Sequence, residues 1–277
     1  MTTKEFLEEN PWLKVADMYK PDKADCLYGG NNYFCEGDRS AIENYNNKAE
    51  GTTDEIITNV PAEPWWGNPL KARLIILSLN PGYVPEVNKT LALLMQTNEA
   101  VRRQLINYKA KTLRLEAESF LPEEKTEDGC PISCKDAVNM LGDWYWVKML
   151  RQLKEDVEKE SGQINEEAFY RQVALIEYCG YSSETAKTSL PLSEDGSYGF
   201  LMKLINYISK KEDVRFLIMR DSYHWERLLK EAKCSSGKIW KRKPRSRSQY
   251  VTPGNLGEDV YRKVVEFMVC KEDCSVI

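Results

Sequence analysis

Short apolar runs recur along this chain and are typical of strands that are buried on both faces. They lie at residues 73 to 79, 173 to 181, 214 to 222 and 237 to 241. After each of the last three runs, apolar residues recur three and four positions apart, which predicts amphipathic helices. These helices lie at residues 198 to 211, 223 to 233 and 259 to 269. Strands that alternate with helices indicate crossover connections, so we expect an α/β fold, a three-layer sandwich around a four-stranded, mainly parallel sheet.

The first half of the chain has a different pattern. Residues 86 to 118 and 135 to 160 carry helical spacing, whereas residues 1 to 60 are rich in Gly, Asn and Asp, which is a loop composition. We therefore predict an irregular N-terminal extension over residues 1–60 and a single α/β domain over residues 61–277. A helical insertion at about residues 84–165 follows the first strand of that domain.

Composition narrows the class of protein. No stretch approaches the roughly 18 consecutive apolar residues of a membrane span, and the start has no apolar signal segment, so we expect a cytoplasmic protein without membrane contact. The eight cysteines show no C-x-x-C spacing, and His224 is the only histidine, which excludes a multi-histidine metal site. We expect no metal and no cofactor.

The first strand stops abruptly at Asn80-Pro81-Gly82-Tyr83, and such strand ends matter in a parallel sheet. Ligands bind to these sheets beyond the carboxyl ends of the strands. The corresponding loops after the other strands lie at residues 177 to 181, 220 to 222 and 242 to 252, and each carries polar or aromatic residues. The pattern therefore predicts a ligand site at this edge of the sheet.

Charge is unevenly distributed along the chain. The segment from Ala232 to Gly257 has no acidic residue and carries +7, so the rest of the chain carries −11, since the whole chain carries −4. The positive residues are Lys233, Lys238, Lys241, Arg242, Lys243, Arg245 and Arg247. One basic segment on an acidic body favours local contact with an anion such as phosphate over a general coating of nucleic acid. On charge alone, a solvated loop without a partner is an equal alternative.

These four loops, in this order, resemble those of the uracil-DNA glycosylase superfamily. The segment "SLNPGY" at residues 78 to 83 is closest to the Asn-Pro-Gly motif of its mismatch-specific members. "ALIEY" matches the strand that reads the base, and "LIMRDSYHWERLL" matches the third strand and its helix. "KPRSRSQY" at residues 243 to 250 takes the place of the loop that enters the minor groove. The resemblance covers roughly residues 65 to 268.

The resemblance implies a protein that hydrolyses or recognises a flipped base in DNA. Asn80 would orient a water toward the sugar, and Lys243 would stabilise the leaving base, so these two residues are the expected catalytic pair. The residues expected to bind the base are Gly82, Tyr83, which would stack on it, Glu177, Tyr178 and Ser222. Those expected to contact nucleic acid are Arg242, Arg245, Arg247 and Ser248.

Two positions depart from the family pattern. Lys243 stands where the last loop of the family carries a histidine, and Glu177 stands where the family usually offers an asparagine. An asparagine both donates to and accepts from a uracil edge, whereas an ionised Glu177 only accepts. A nucleic-acid-binding or nucleotide-binding module without catalysis, on the same fold, is therefore the alternative function.

Each site residue also has a purely structural interpretation. Asn80 and Gly82 are common turn residues, and a packing role is the structural alternative for Tyr83. Asp221-Ser222 is typical of a helix N-cap. His224, early in the following helix, is typical of a surface or partly buried histidine rather than a catalytic base.

Overall fold

The computed structural model has an α/β fold with a mostly parallel sheet, as the sequence predicts. It describes residues 3–20, 33–118, 145–162, 166–185, 193–246 and 248–270. Within these ranges, the strands are β1 (Trp65–Trp66), β2 (Leu74–Ser78), β3 (Val173–Glu177), β4 (Arg215–Ile218) and β5 (Ile239–Lys241). Their order in space is β1-β3-β2-β4-β5. The last four are parallel to one another, and β1 is antiparallel to β3.

Each of the four predicted strand runs contains one of the parallel strands, but the sequence does not reveal β1. Its two residues, Trp65 and Trp66, pair with Ile176 and Leu175 of β3. A pair of residues is too short to show the spacing by which strands are recognised. The sheet is therefore mixed and five-stranded, whereas the prediction has four strands.

Eleven α-helices lie within the described ranges, and none of them is long and apolar enough to cross a membrane. They are α1 (Thr3–Glu8), α2 (Leu13–Met18), α3 (Arg39–Ala49), α4 (Pro85–Thr97), α5 (Glu99–Leu113), α6 (Tyr145–Ser161), α7 (Glu166–Arg171), α8 (Ser197–Ser209), α9 (Ser222–Glu231), α10 (Pro253–Leu256) and α11 (Glu258–Val269). The predicted helix over residues 86 to 118 is divided at Asn98, whose side chain accepts a hydrogen bond from the Val101 N–H and so caps α5. Residues 135 to 144 of the second predicted helix lie outside the described residues.

Alternate side chains of the central strands enter two separate cores. In β2, Ile75 and Leu77 pack with residues of α1, α2, α3, α5, α8 and α9, whereas Leu74 and Ile76 pack with residues of α6, α7, α10 and α11. Because both faces of a parallel strand are covered, the strand reads as one continuous apolar run. The burial of both faces leaves the strand ends as the part of the sheet that is open to polar chemistry.

The N-terminal segment differs from the irregular extension that the sequence predicts. It contains α1, α2 and α3, and its Phe6 and Trp12 are fully buried in the core that covers one face of the sheet. The buried Asp38 ties the segment to the body, since Asp38 Oδ2 accepts from the Tyr181 hydroxyl at 2.6 Å and Oδ1 accepts from the Ser197 N–H at 3.2 Å. The short helices and the Gly- and Asn-rich linkers between them hide this packing from a search for periodicity.

Candidate site at the carboxyl edge of the sheet

The ends of β2, β3, β4 and β5, with the residues that directly follow them, meet at one side of the sheet, which we call the carboxyl edge. Ser78 and Glu177 are opposite each other in the register of β2 and β3. The loops beyond them stay paired, because the Cys179 N–H donates to the Leu79 carbonyl at 2.8 Å and the Tyr83 N–H donates to the Ser183 carbonyl at 3.0 Å. The four loops singled out in the sequence therefore begin at the same edge.

Asn80 is buried and its amide is held by the neighbouring loop. Its Nδ2 donates to Ser183 Oγ at 2.8 Å, to the Pro81 carbonyl at 3.2 Å and to the Tyr181 carbonyl at 3.4 Å. Its Oδ1 is buried without a hydrogen-bond partner among the described residues. The side chain thus fixes the two loops to each other and keeps one unused acceptor, so the turn-forming and water-orienting interpretations of Asn80 are compatible.

Gly82 and Tyr83 lie at the outer end of this loop. Gly82 is exposed, and a Cβ added there would meet nothing within 4 Å, so no close approach requires a glycine. The Tyr83 side chain is half-buried. A partly open ring at the carboxyl edge is compatible with the stacking role that the resemblance implies.

Glu177 is the least expected feature of the edge, because its carboxyl is almost fully buried, at 2% exposure. Neither carboxyl oxygen has a hydrogen-bond partner in the part of the chain that the structure describes. The adjacent Ser78 hydroxyl lies close enough to lower the pKa of this carboxyl, but Ser78 Oγ also lies 3.3 Å from Oε1 of the buried Gln249, so its single proton can serve only one of these acceptors. Burial raises the pKa of Glu177 to about 8; Ser78 and Arg220 oppose the rise, and Glu63 adds to it.

Glu177 is therefore mostly protonated at neutral pH, in contrast to the ionised carboxylate considered in the sequence analysis. A protonated carboxyl carries one O–H donor and one carbonyl acceptor, as a side-chain amide also carries a donor and an acceptor. The departure from asparagine at this position thus changes the hydrogen-bonding capacity less than the residue name suggests.

Tyr178 does not share the environment of Glu177. Successive residues of a strand point to opposite faces, and the Tyr178 ring packs 5.7 Å from the ring of Tyr198 and 5.2 Å from that of His224. Burial, with the neighbouring Tyr198 hydroxyl, raises the pKa of Tyr178. Glu177 and Tyr178, either of which was expected to read the base edge, therefore lie in different surroundings.

Asp221 and His224 form a pair in the first turn of α9. His224 Nδ1 lies 2.8 Å from Asp221 Oδ1, and the Asp221 side chain is only 4% exposed. Asp221 has the left-handed backbone conformation, with φ of 51°, and its side chain does not cap the helix as the sequence predicts. The carboxylate instead orients the imidazole, while the predicted base-binding residue Ser222 is exposed at the start of α9.

The basic residues after β5 have unequal surroundings. Lys243 and Arg245 are exposed; the Lys243 N–H donates to the Asn255 carbonyl at 2.8 Å, and its side-chain stem lies beside Gly257. Arg242 is half-buried, and Ser248 Oγ accepts from the Tyr250 N–H at 3.2 Å. Arg247 lies outside the described residues. No contact joins the Lys243 side chain to Asn80, its expected catalytic partner.

Three contributors to this edge received no role from the sequence. Arg220 lies two residues beyond the end of β4, in a loop that the sequence pattern picks out, but only the folded chain shows which groups it faces. Gln249 and Ser183 reach the edge from loops, and only the folded chain brings them to Ser78 and Asn80.

No family model, curated protein or solved structure matches this chain.

Proposed function

We propose that this chain recognises a nucleobase at the carboxyl edge of its sheet, as a uracil-DNA glycosylase-like protein that takes a flipped base of DNA. The observation that carries the proposal is Glu177, a buried carboxyl whose two oxygens lack partners among the described residues. Leaving such a group unsatisfied costs free energy, so a ligand that supplies the missing hydrogen bonds gains affinity. The glycosylase-like three-layer arrangement and the cytoplasmic location belong to the same proposal.

The chemistry of Glu177 suggests which base edge fits. With a pKa of about 8, the carboxyl is mostly neutral at pH 7 and offers a donor beside an acceptor. The lactam edges of uracil, hypoxanthine and guanine present an N–H beside a carbonyl, which is the complementary pair. The half-buried Tyr83 would stack on the face of the base, a contact worth about 1–3 kcal/mol.

Contact with DNA would come from the exposed cations beyond β5. Lys243 and Arg245 are exposed and face no competing acidic residue in their own segment, which is free of Asp and Glu from Ala232 to Gly257. Phosphate contacts of this kind weaken as salt rises because bound counterions are released. Binding that is unchanged between low and moderate salt would remove Lys243 and Arg245 from the proposal.

Glu177→Gln and Glu177→Leu test the base-reading role. Glutamine keeps one donor and one acceptor in a similar volume, whereas leucine removes both. We expect Glu177→Gln to bind base-containing oligonucleotides within a fewfold of the parent protein and Glu177→Leu to lose about tenfold or more. The panel carries uracil, hypoxanthine, xanthine and mismatches, and Glu184→Gln, an exposed glutamate of the same loop, is the control. Equal binding by Glu177→Leu, with a normal unfolding transition, would overturn the role.

Hydrolysis of the glycosidic bond is the second candidate, and the unused Asn80 Oδ1 favours it. Because Nδ2 is fixed by three acceptors, Oδ1 has a defined position from which to accept a hydrogen bond from a water. Base release from the same panel decides between the two functions. Release that is lost in Asn80→Ala, with binding intact, supports hydrolysis. Binding without release by the parent protein supports a non-catalytic nucleic-acid or nucleotide-binding module.

A further inference from the structure

Arg220 and Arg242 lie at the ends of adjacent parallel strands, and their backbones are fixed there. The Arg220 N–H donates to the Leu77 carbonyl at 3.3 Å, and the Arg242 N–H donates to the Ile218 carbonyl at 3.1 Å. The Arg242 bond extends the ladder one residue beyond β5, and Arg220, two residues beyond β4, shares the Leu77 carbonyl with the Met219 N–H. Both side chains are half-buried, so they start from a rigid base and are partly withdrawn from water.

Neither guanidinium has a hydrogen bond or an ion pair with a side chain or carbonyl of the described residues, and Arg242 Nη1 is buried without a partner. Burial, and then the like charge of Arg220, lower the pKa of Arg242. The neighbouring Lys241, by contrast, is paired, since its Nζ lies 2.8 Å from Glu226 Oε2. Two like charges that are partly buried and lack a counter-ion destabilise the folded protein. A bound anion would remove this cost.

Glu177 is a buried acid on which the charge of Arg220 acts, but it is a poor counter-ion. The charge of Arg220 reaches it and opposes its rise in pKa, yet burial keeps the carboxyl mostly protonated at neutral pH. The neutral groups beside it, Ser78 and Gln249, add dipoles and no charge. The two arginines therefore keep an excess of positive charge at this edge, which suits a phosphate group.

We propose that Arg220 and Arg242 hold the phosphate group of a nucleotide, next to the base that Glu177 reads. This subsite is separate from the exposed Lys243 and Arg245, because it lies at the strand ends and offers guanidinium forks rather than solvated charges. The identity of the base rests on the proposed function, whereas the anion subsite can be tested without it. Either a free nucleotide or the phosphodiester of a DNA strand supplies this chemistry.

Binding of inorganic phosphate and of nucleoside 5′-monophosphates by calorimetry tests the subsite. The variants are Arg220→Met and Arg242→Met, which keep a long apolar stem without charge. Lys241→Met removes an exposed cation one residue from Arg242 and is the control. We expect each arginine variant to bind phosphate and monophosphate about tenfold more weakly or worse, and the control to bind as the parent protein does.

A second measurement distinguishes loss of phosphate binding from loss of folding. At matched ionic strength, phosphate should raise the Tm of the parent protein relative to chloride, and the rise should disappear in Arg242→Met. Loss of a like-charge neighbour does not disfavour folding, so we expect both arginine variants to fold. Unchanged phosphate affinity in both variants, or equal weakening in Lys241→Met, would overturn the subsite.

Two further arms separate the sources of the phosphate and the two proposals. Nucleoside, nucleoside monophosphate and a short single-stranded oligonucleotide are compared on the parent protein. Tighter binding of the monophosphate indicates a free nucleotide, and tighter binding of the oligonucleotide indicates a DNA strand. If the arginine variants leave phosphate binding intact while Glu177→Leu loses base binding, the phosphate subsite is wrong and the proposed function stands. If the arginine variants lose phosphate binding while Glu177→Leu keeps base binding, the subsite stands and the base-reading role of Glu177 is wrong.

Discussion

Ser78 and Glu177 are the last paired residues of β2 and β3 and lie side by side at the carboxyl edge of the sheet. Ser78 brings a hydroxyl and Glu177 a buried carboxyl to the same point, and the Ser78 carbonyl also accepts from Trp225 Nε1 at 2.6 Å. This last bond anchors the first turn of α9 over the edge. The polar end of an otherwise apolar sheet is thus both a structural junction and the candidate site.

Glu177 should impose a pH dependence on stability. Its folded pKa of about 8 is raised above the unfolded value, so the folded protein binds a proton that the unfolded chain releases. The free energy of unfolding should therefore fall by about 1.4 kcal/mol per pH unit between about pH 5 and pH 8, and level off above. Ser78 and Arg220 moderate this cost, and Glu63 increases it.

The Glu177→Gln variant isolates the contribution of Glu177 to the pH dependence of stability. Glu177→Gln is neutral at every pH, so its stability relative to the parent protein should increase by about 4 kcal/mol from pH 5 to pH 8. Urea unfolding at four or five pH values measures it, with Glu184→Gln as the exposed control. Parallel pH curves for Glu177→Gln and the parent protein would show that Glu177 is ionised in the folded state.

Asn80 should contribute to stability as well as to the site. Asn80→Ala removes the hydrogen bonds that its Nδ2 donates to Tyr181 and Ser183 of the neighbouring loop and to Pro81 of its own loop, and should cost about 1–3 kcal/mol. Asn80→Asp should cost more, because it points a carboxylate oxygen at the Pro81 and Tyr181 carbonyls. Urea unfolding at pH 7 gives both values. Asn88→Ala, which removes one exposed bond to the Val84 carbonyl, should have little effect; an equal loss there would argue against a special role for Asn80.

At Asp221, glycine should give a more stable protein than alanine, which is the reverse of the usual order within a helix. Its φ of 51° is unfavourable for a residue with a Cβ, so Asp221→Gly should be more stable than Asp221→Ala by about 1 kcal/mol. Both variants lose the contact with His224, so their difference reports the backbone alone. In the middle of α9, Glu226→Gly should instead be less stable than Glu226→Ala by about 1 kcal/mol. If alanine were more stable than glycine at position 221 as well as at position 226, the backbone of Asp221 would not be strained in solution.

Two glycines of the site loops should differ in their tolerance of alanine. A Cβ at Gly180 would lie 2.8 Å from Pro64 Cβ and 2.9 Å from Pro64 Cα, so Gly180→Ala must displace the segment before β1 and should cost about 1–3 kcal/mol. Gly82→Ala meets open space and should change stability by less than about 0.5 kcal/mol. Thermal unfolding compares them directly, and a larger loss at Gly82 would contradict the described loop geometry.

The amino-acid sequence by itself determined the parallel strands, the helices that follow β3, β4 and β5, and the edge at which the polar loops meet. These features are encoded locally: a run of four apolar residues that ends in a serine, such as Leu74–Ser78, has few alternatives to a buried strand. Asn80 and Glu177 stood out for the same reason, since polar residues that end such runs are visible in the printed chain.

Only the tertiary structure decided what those residues contact. Burial by neighbouring elements raises the pKa of Glu177, and Tyr178 has different surroundings because successive residues point to opposite faces of the sheet. Gln249 contacts Ser78 although the two are far apart in the sequence, and the charge of Arg220 acts on Arg242 at the end of the adjacent strand. Burial and charge spacing arise from contacts across the whole chain, and no local pattern of residues encodes them.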